Sequence, residues 1–226
     1  MLESDSPAYG YFVNSVKSWL VVKLEHLASA RAIFSGTGVQ ISAEGRRHLG
    51  AAVGSVTFVT EFVSRRVAEW VGEVTRLAEI ARLEPHCAYA AFRHSLVGKW
   101  QYLSRTIAGI ESLLQPLEDA IRQCFIPALT NRPAPGDLER ELLALLTRLG
   151  GLGLVNPAAQ SDDAYEASVN ITAPLAALIV EQEGHLGDSA SLQIAARSAT
   201  CRSRRVAQER DAAALFDRRR CSVLSR

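Results

Sequence analysis

The side chains in this sequence whose type and spacing suit chemistry are its cations. Arg46 and Arg47 stand side by side, and Arg65, Arg66, Lys99 and Arg105 recur along two later segments. Guanidinium and ammonium groups are able to contact phosphate, and exposed cations of this kind need no function. Glu61, Glu69, Glu73 and Glu79 are interspersed with the later cations, and a mixed face of this kind reads for most of these residues as a solvated helix surface. Lys17, two residues before Trp19, reads on the residues alone as a solvated cation at a strand end.

Bond-making machinery is hard to find. The sequence has no glycine-rich phosphate loop followed by Lys-Ser/Thr, no Gly-x-Ser-x-Gly elbow and no His-Glu-x-x-His. His86 and His94 flank one helical segment without a third ligand or an acidic partner. Cys87, Cys124, Cys201 and Cys221 are scattered, with no Cys-x-x-Cys spacing to gather zinc, and are expected as thiols. Asp162-Asp163 is a carboxylate pair, but its position after Gln160-Ser161 suits a helix cap. No metal site and no small-molecule substrate are expected.

The elements that position these residues fall into two regimes. Short β-like runs, Tyr9 to Val13, Ser18 to Lys23, Val39 to Ile41 and His48 to Val53, are punctuated by Gly36-Thr37-Gly38 and Glu44-Gly45. A short helix from His26 to Phe34, with Leu27, Ala30, Ile33 and Phe34 on one side, lies between the second and third. After Gly54-Ser55 the period changes: Val59, Val63, Val67, Trp70, Val74, Leu77 and Ala81 recur at helical steps. Pro85 ends that helix and opens a second carrying Tyr89, Phe92, Leu96, Trp100, Leu103 and Ile107, and the two should form an antiparallel hairpin. Trp70, Trp100, Tyr89 and Phe92 lie on these apolar stripes and read as core rather than as base-stacking platforms.

A third helical segment is expected from Leu113 to Phe125, then a loop from Pro127 to Pro135. Asp137 is the expected N-cap of a helix with Leu138, Leu142, Leu145 and Leu149 as its buried stripe, stopped by Gly150-Gly151. Ser161 or Asp162 would cap a short helix containing Tyr165, and Pro174 would open another ending at Gly184. From Asp188 onward, Ala, Arg and Ser dominate, as in an exposed helix or a partly disordered tail.

The 226 residues carry 48% hydrophobic and 22% charged side chains, with a formal net charge of +1, ordinary values for a globular protein. The balance conceals a basic tail: nine arginines from Arg197 to Arg226 face only Glu209, Asp211 and Asp217. Arg202 to Arg205 and Arg218 to Arg220 suit solubilising a helix, or nuclear import. Neither a signal peptide nor a membrane span is expected, because Met1 to Asp5 lacks the necessary pattern and the longest apolar run, Ile171 to Val180, contains Pro174 and is about half a span. The expected location is intracellular, cytoplasmic or nuclear, with no membrane partner.

Three segments in order carry a resemblance. Gly10-Tyr11-Phe12-Val13-Asn14-Ser15-Val16-Lys17-Ser18-Trp19 resembles the fourth palm motif of retroelement reverse transcriptases of the kind lacking terminal repeats. Arg47-His48-Leu49-Gly50-Ala51-Ala52-Val53-Gly54-Ser55 resembles their next motif, the primer-grip hairpin, with His48 in place of the usual aromatic. Leu146-Thr147-Arg148-Leu149-Gly150-Gly151-Leu152-Gly153-Leu154 resembles the Gly-Gly-Leu-Gly segment downstream of the polymerase core. The likeness spans about Tyr9 to Ile179.

The resemblance implies an RNA-directed DNA polymerase relationship and assigns roles. Lys17 matches the lysine that lies near the departing pyrophosphate and supplies charge or a proton there. Leu49 and Gly50 fall at the primer-grip turn, where a glycine allows close approach to the primer backbone. Arg46, Arg47, Arg65, Arg66, Lys99 and Arg105 become candidates for holding an RNA/DNA template-primer. The family's magnesium-binding aspartates precede the lysine motif, and only Glu3 and Asp5 are acidic before Lys17, so no magnesium cofactor is expected in this chain and the protein is expected not to catalyse alone.

The expected fold is thus α+β and predominantly helical: a partial palm over residues 1–55, with a small sheet and one helix; a thumb-like or connecting helical region over 56–184; and a basic tail over 185–226. Two functional readings follow. One is a reverse-transcriptase portion, cut after the catalytic carboxylates, with residual template-primer affinity at most. The other is a non-enzymatic helical interaction protein, domesticated or without a selected nucleic-acid function.

Overall fold

The computed structural model describes residues 14–180 and 188–224. The fold is α+β and predominantly helical, and the chain divides into two compact units, Met1–Ser64 and Arg65–Arg226. The expected strand at Tyr9 to Val13 lies outside the described residues.

In the first unit, strand β1 (Trp19–Val21) is followed by helix α1 (Leu27–Ile33) and then β2 (Gln40–Ser42), which pairs with β1 in parallel. A parallel pair needs a crossover between its strands, and α1 with its flanking turns supplies it. Only Ala30 of α1 is buried, and Ile33 is 71% exposed. The expected run His48 to Val53 is not one strand. Strands β3 (Gly45–His48) and β4 (Ala51–Gly54) are antiparallel, with Arg46 opposite Val53 and His48 opposite Ala51. The β-like run is broken because Leu49 and Gly50 take φ of +47° and +91°, the type I′ pattern of a two-residue hairpin turn. The strands therefore form two separate pairs.

Helix α2 (Val56–Ala81) follows the predicted period, and in the second unit its Val67, Trp70, Val74, Ala78 and Ala81 are buried. Pro85 opens α3 (Pro85–Ala91), which runs through a wide π-turn at Phe92–Leu96 into α4 (Val97–Thr106). Trp100 meets Trp70 and Lys99 meets Glu73 across a reversal near Leu83, so the pair is antiparallel, as its short connection requires. Helix α5 (Glu111–Ala120) similarly continues through a π-turn at Ile121–Phe125 into α6 (Ile126–Thr130). The expected loop thus begins at Asn131 rather than at Pro127. Pro127 has no N–H for the Gln123 carbonyl and its ring needs room over that turn, and the widened turn lies just before it.

An aromatic chain runs through the core of this unit. Phe125 stacks on Phe92 with centroids 4.5 Å apart, Phe92 lies 5.7 Å from Trp100, and Trp100 lies 6.1 Å from Trp70. Phe92 and Phe125 are fully buried, and each belongs to one of the two π-turns.

Helix α7 (Asp137–Ala144) departs from expectation in three ways. Gly136, not Asp137, is its N-cap, and the Asp137 carboxylate instead accepts from Arg122 Nη2 at 2.7 Å. It ends at Ala144, before Gly150-Gly151, because Leu145 turns to extended backbone; Gly150 closes only a 3-10 turn, Thr147–Leu149. Its buried residue is Arg140, while Leu138 is exposed and only Leu145 of the leucine stripe is buried. Helix α8 (Ser161–Val180) is one helix passing straight through Pro174, not two, and Ser161 lies inside its first turn. The missing Pro174 N–H would leave the Asn170 carbonyl without its helical donor, and Arg197 of α9 (Asp188–Leu224) donates to that oxygen at 3.1 Å. The expected end at Gly184 lies outside the described residues. The basic tail is helical over Asp188–Leu224.

Candidate nucleic-acid interface

The sequence-predicted residues divide between the units. Lys17, Arg46, Arg47, Leu49 and Gly50 belong to the first, and Arg65, Arg66, Lys99 and Arg105 to the second.

In the first unit the β3–β4 hairpin sets the geometry. Successive side chains on a strand point to opposite faces, so Arg46 and Arg47 project to opposite sides of the ribbon. Gly45 lies against the Phe58 ring, where a Cβ would come within 2.5 Å of it, so α2 begins on the Arg47 side of the ribbon. On the other side, Arg46 and its ladder partner Val53 are both exposed. There the Arg46 guanidinium lies over the indole of Trp19, 4.0 Å from the ring centroid. Among the described residues no carboxylate pairs with Arg46 or Arg47. At the tip Leu49 is 82% exposed in a left-handed conformation that a branched side chain rarely adopts.

Lys17 ends a 3-10 turn, Ser15–Lys17, rather than a strand. The Asn14 side chain caps that turn, its Oδ1 accepting from the Lys17 backbone N–H at 3.2 Å. The lysine side chain is exposed and has no acidic partner among the described residues.

The second unit treats its candidates differently. Lys99 Nζ is held by both oxygens of Glu73, at 2.8 and 2.7 Å, and Arg66 donates to Glu69 Oε2 at 2.5 Å while lying near the Trp70 ring. Lys99 and Arg66 are therefore matched locally by carboxylates. Arg65 and Arg105 are exposed. Trp70, Trp100 and Phe92 are buried, and Tyr89 is half-buried with its hydroxyl donating to the Leu152 carbonyl at 2.7 Å, so none of these rings presents a free face to a base.

The Gly-Gly-Leu-Gly segment is anchored to the helices. Arg93 donates to Gly153 O, Tyr89 to Leu152 O and Arg140 to Leu154 O, while Arg140 also grips the buried Glu118. The arginine at position 140, which sequence reasoning passed over, thus closes the loop onto the core. Asp162 and Asp163 are exposed in the first turn of α8, where negative charge suits the helix dipole.

Among the described residues, no three His, Cys, Asp or Glu side chains gather as metal ligands, and no helix is long and apolar enough to cross a membrane. His86 and His94 are exposed, and Cys87, Cys124 and Cys201 are free thiols. A groove of about 580 Å³ in the second unit is lined by Glu79, Arg82, Gln123, Cys124 and Asn131, and takes in none of the predicted site residues. No protein-family model, curated protein or solved structure matches the chain.

The feature sequence reasoning missed around the candidate residues of the first unit is the pairing of Trp19 with Arg46. Twenty-odd residues separate them, and only the contact of β1 with β3 brings them together. The available signal was Trp19 itself, a large aromatic at a strand start beside Lys17.

Proposed function

We propose that this protein is a nucleic-acid-binding relative of reverse transcriptases, carrying late-palm and thumb segments, that contacts a template-primer backbone through its β3–β4 hairpin and does not itself extend primers. The observation that carries this reading is the hairpin: two arginines free of described carboxylates flank a tip whose leucine is both exposed and held at positive φ. Strain at an exposed apolar tip is uneconomical for a turn that only links strands, and such strain gathers where a chain meets a ligand. The three motifs in family order support the same reading.

Binding of a labelled RNA/DNA hybrid, followed by fluorescence anisotropy over a range of salt, tests it. Phosphate contacts release counterions, so affinity should fall steeply with salt, and Arg46→Ala with Arg47→Ala should reduce the log–log slope by about two. The same slope in the variant, with equally weak binding to any polyanion, would locate the interaction in the arginines of α9 and reject the hairpin. Incorporation of nucleotides by the purified chain with magnesium would reject the non-catalytic part.

A second reading, a helical interaction protein without nucleic-acid function, is favoured by one observation: Glu73 and Glu69 neutralise Lys99 and Arg66 on the helical unit. Absence of any salt-sensitive hybrid binding would select it.

A further inference from the structure

Resting on the hairpin reading above, we propose that Trp19 and Arg46 form a stacking platform that takes an unpaired nucleobase, giving this protein a preference for single-stranded or frayed ends over a bare sugar-phosphate chain. The Arg46 Cζ lies over the indole, 4.0 Å from the ring centroid, a contact that restricts a side chain otherwise free to sample many rotamers in water. One face of the guanidinium is covered by Trp19. The other is directed away from it, and among the described residues no carboxylate pairs with this exposed guanidinium. Val53, opposite Arg46 in the ladder, is 51% exposed, so this side of the hairpin is open beside the platform. A planar cation with one face supported by an aromatic and the other free is a surface on which a base stacks, while the N–H edge of the same group donates to the adjoining phosphate. A base pair within a duplex has both faces stacked already and cannot use the site without unpairing.

Trp19 here is a positioning residue: it acts on the base through Arg46. Its loss should therefore remove the base preference while leaving the charge, and with it the affinity for phosphate, in place. This separates the platform from the hairpin reading on which it rests.

The experiment uses the full chain and two polymers of equal length, oligo-deoxyadenylate and a wholly abasic oligodeoxynucleotide, with affinities read by anisotropy. Acrylamide quenching of tryptophan emission is measured in parallel; Trp19 is 41% exposed, whereas Trp70 and Trp100 are 2% and 3% exposed, so the readily quenched emission reports on the platform. The wild-type protein should bind the base-bearing polymer at least about five-fold more tightly than the abasic one. Binding should shield the quenchable tryptophan, and Trp19→Ala should bring the two affinities together by weakening only the first. Equal affinities in the wild type with unchanged quenching would overturn the platform and leave the hairpin reading standing. Failure of both polymers to bind would overturn both. Because the polymer comparison is made on the wild-type chain, it decides the matter even where Trp19→Ala perturbs folding.

Discussion

Arg140 and Glu118 face each other inside the helical unit as a two-pronged ion pair, Nε to Oε1 at 2.6 Å and Nη2 to Oε2 at 2.7 Å, with both side chains about 5% exposed or less. The two charges have left water together, and a third guanidinium N–H, on Nη1, is taken by the Leu154 carbonyl, which ties the glycine-rich segment to α5 and α7. Removing one partner strands a buried charge. Arg140→Met should therefore destabilise the protein by about 3–5 kcal/mol in urea unfolding, while Arg140→Met combined with Glu118→Leu should recover most of that loss. Similar destabilisation in the single and double variants would show that the pair's geometry, and not the uncompensated charge, dominates.

Lys99 and Glu73 make the opposite case. Their side chains are 40% and 29% exposed, so solvent screens the pair and its worth to folding is small, about 0.2–1 kcal/mol by double-mutant cycle. Lys99→Ala should also leave the salt slope of hybrid binding unchanged, because the ammonium is already matched by a carboxylate. A slope reduced by about one would restore Lys99 to the interface.

The parts of this fold that were readable beforehand are those in which one local rule suffices. Val67, Trp70 and Val74 repeat at the helical step and face a core, so α2 and its partner α4 follow from periodicity. The same rule misplaced α7, because Leu145 and Leu149 continue the helical period after the backbone has left the helix, and because a charged Arg140 occupies a buried position that periodicity assigns to leucine. Pro174 was misread for a related reason. The usual breaker argument counts the lost N–H, but the carbonyl thereby orphaned finds a donor in Arg197, far along the chain. In the candidate site, the cations and the Leu49-Gly50 turn were visible as residues. The stacking of Arg46 on Trp19 depends on the placement of β1 beside β3, and a linear pattern does not carry it.

Leu49 offers a direct test of strain at the hairpin tip. Both central positions of a type I′ turn need positive φ, which Asn adopts far more readily than Leu, and Leu49 stands at +47° with 82% of its surface in water. Leu49→Asn should raise stability by about 1 kcal/mol, seen as a higher melting temperature. If the leucine is retained for contact with a ligand, the same variant should bind hybrid more weakly despite being more stable. A variant that is more stable and binds equally well would assign Leu49 no part in recognition.

Gly151 should tolerate no side chain. It is buried just after the 3-10 turn that follows α7, and a Cβ there would meet the Leu145 carbonyl oxygen at 2.1 Å and that of Leu142 at 2.6 Å. Both are backbone atoms, so relief requires moving the segment that Arg140, Arg93 and Tyr89 hold in place. Gly151→Ala should destabilise by at least about 1–3 kcal/mol, as over-packing does elsewhere, whereas Gly98→Ala, in α4 with open space around it, should be neutral or stabilising. Equal melting temperatures for the two would contradict the packing at Gly151.

Arg197 and Pro174 should be coupled although they do not bond to each other. Arg197 Nη1 serves the Asn170 carbonyl because residue 174 has no N–H to give it. In the native background Arg197→Ala should cost about 0.5–1.5 kcal/mol, the usual net value of one hydrogen bond. In a Pro174→Ala background the restored amide takes the Asn170 carbonyl in the ordinary helical way, and the arginine's contribution there should largely vanish. A double-mutant cycle by urea unfolding reads the difference. Equal costs of Arg197→Ala in both backgrounds would mean that its bond to α8 is incidental to the proline. A clear interaction energy would establish that a basic residue of α9 acts in folding, and would remove it from those available to nucleic acid.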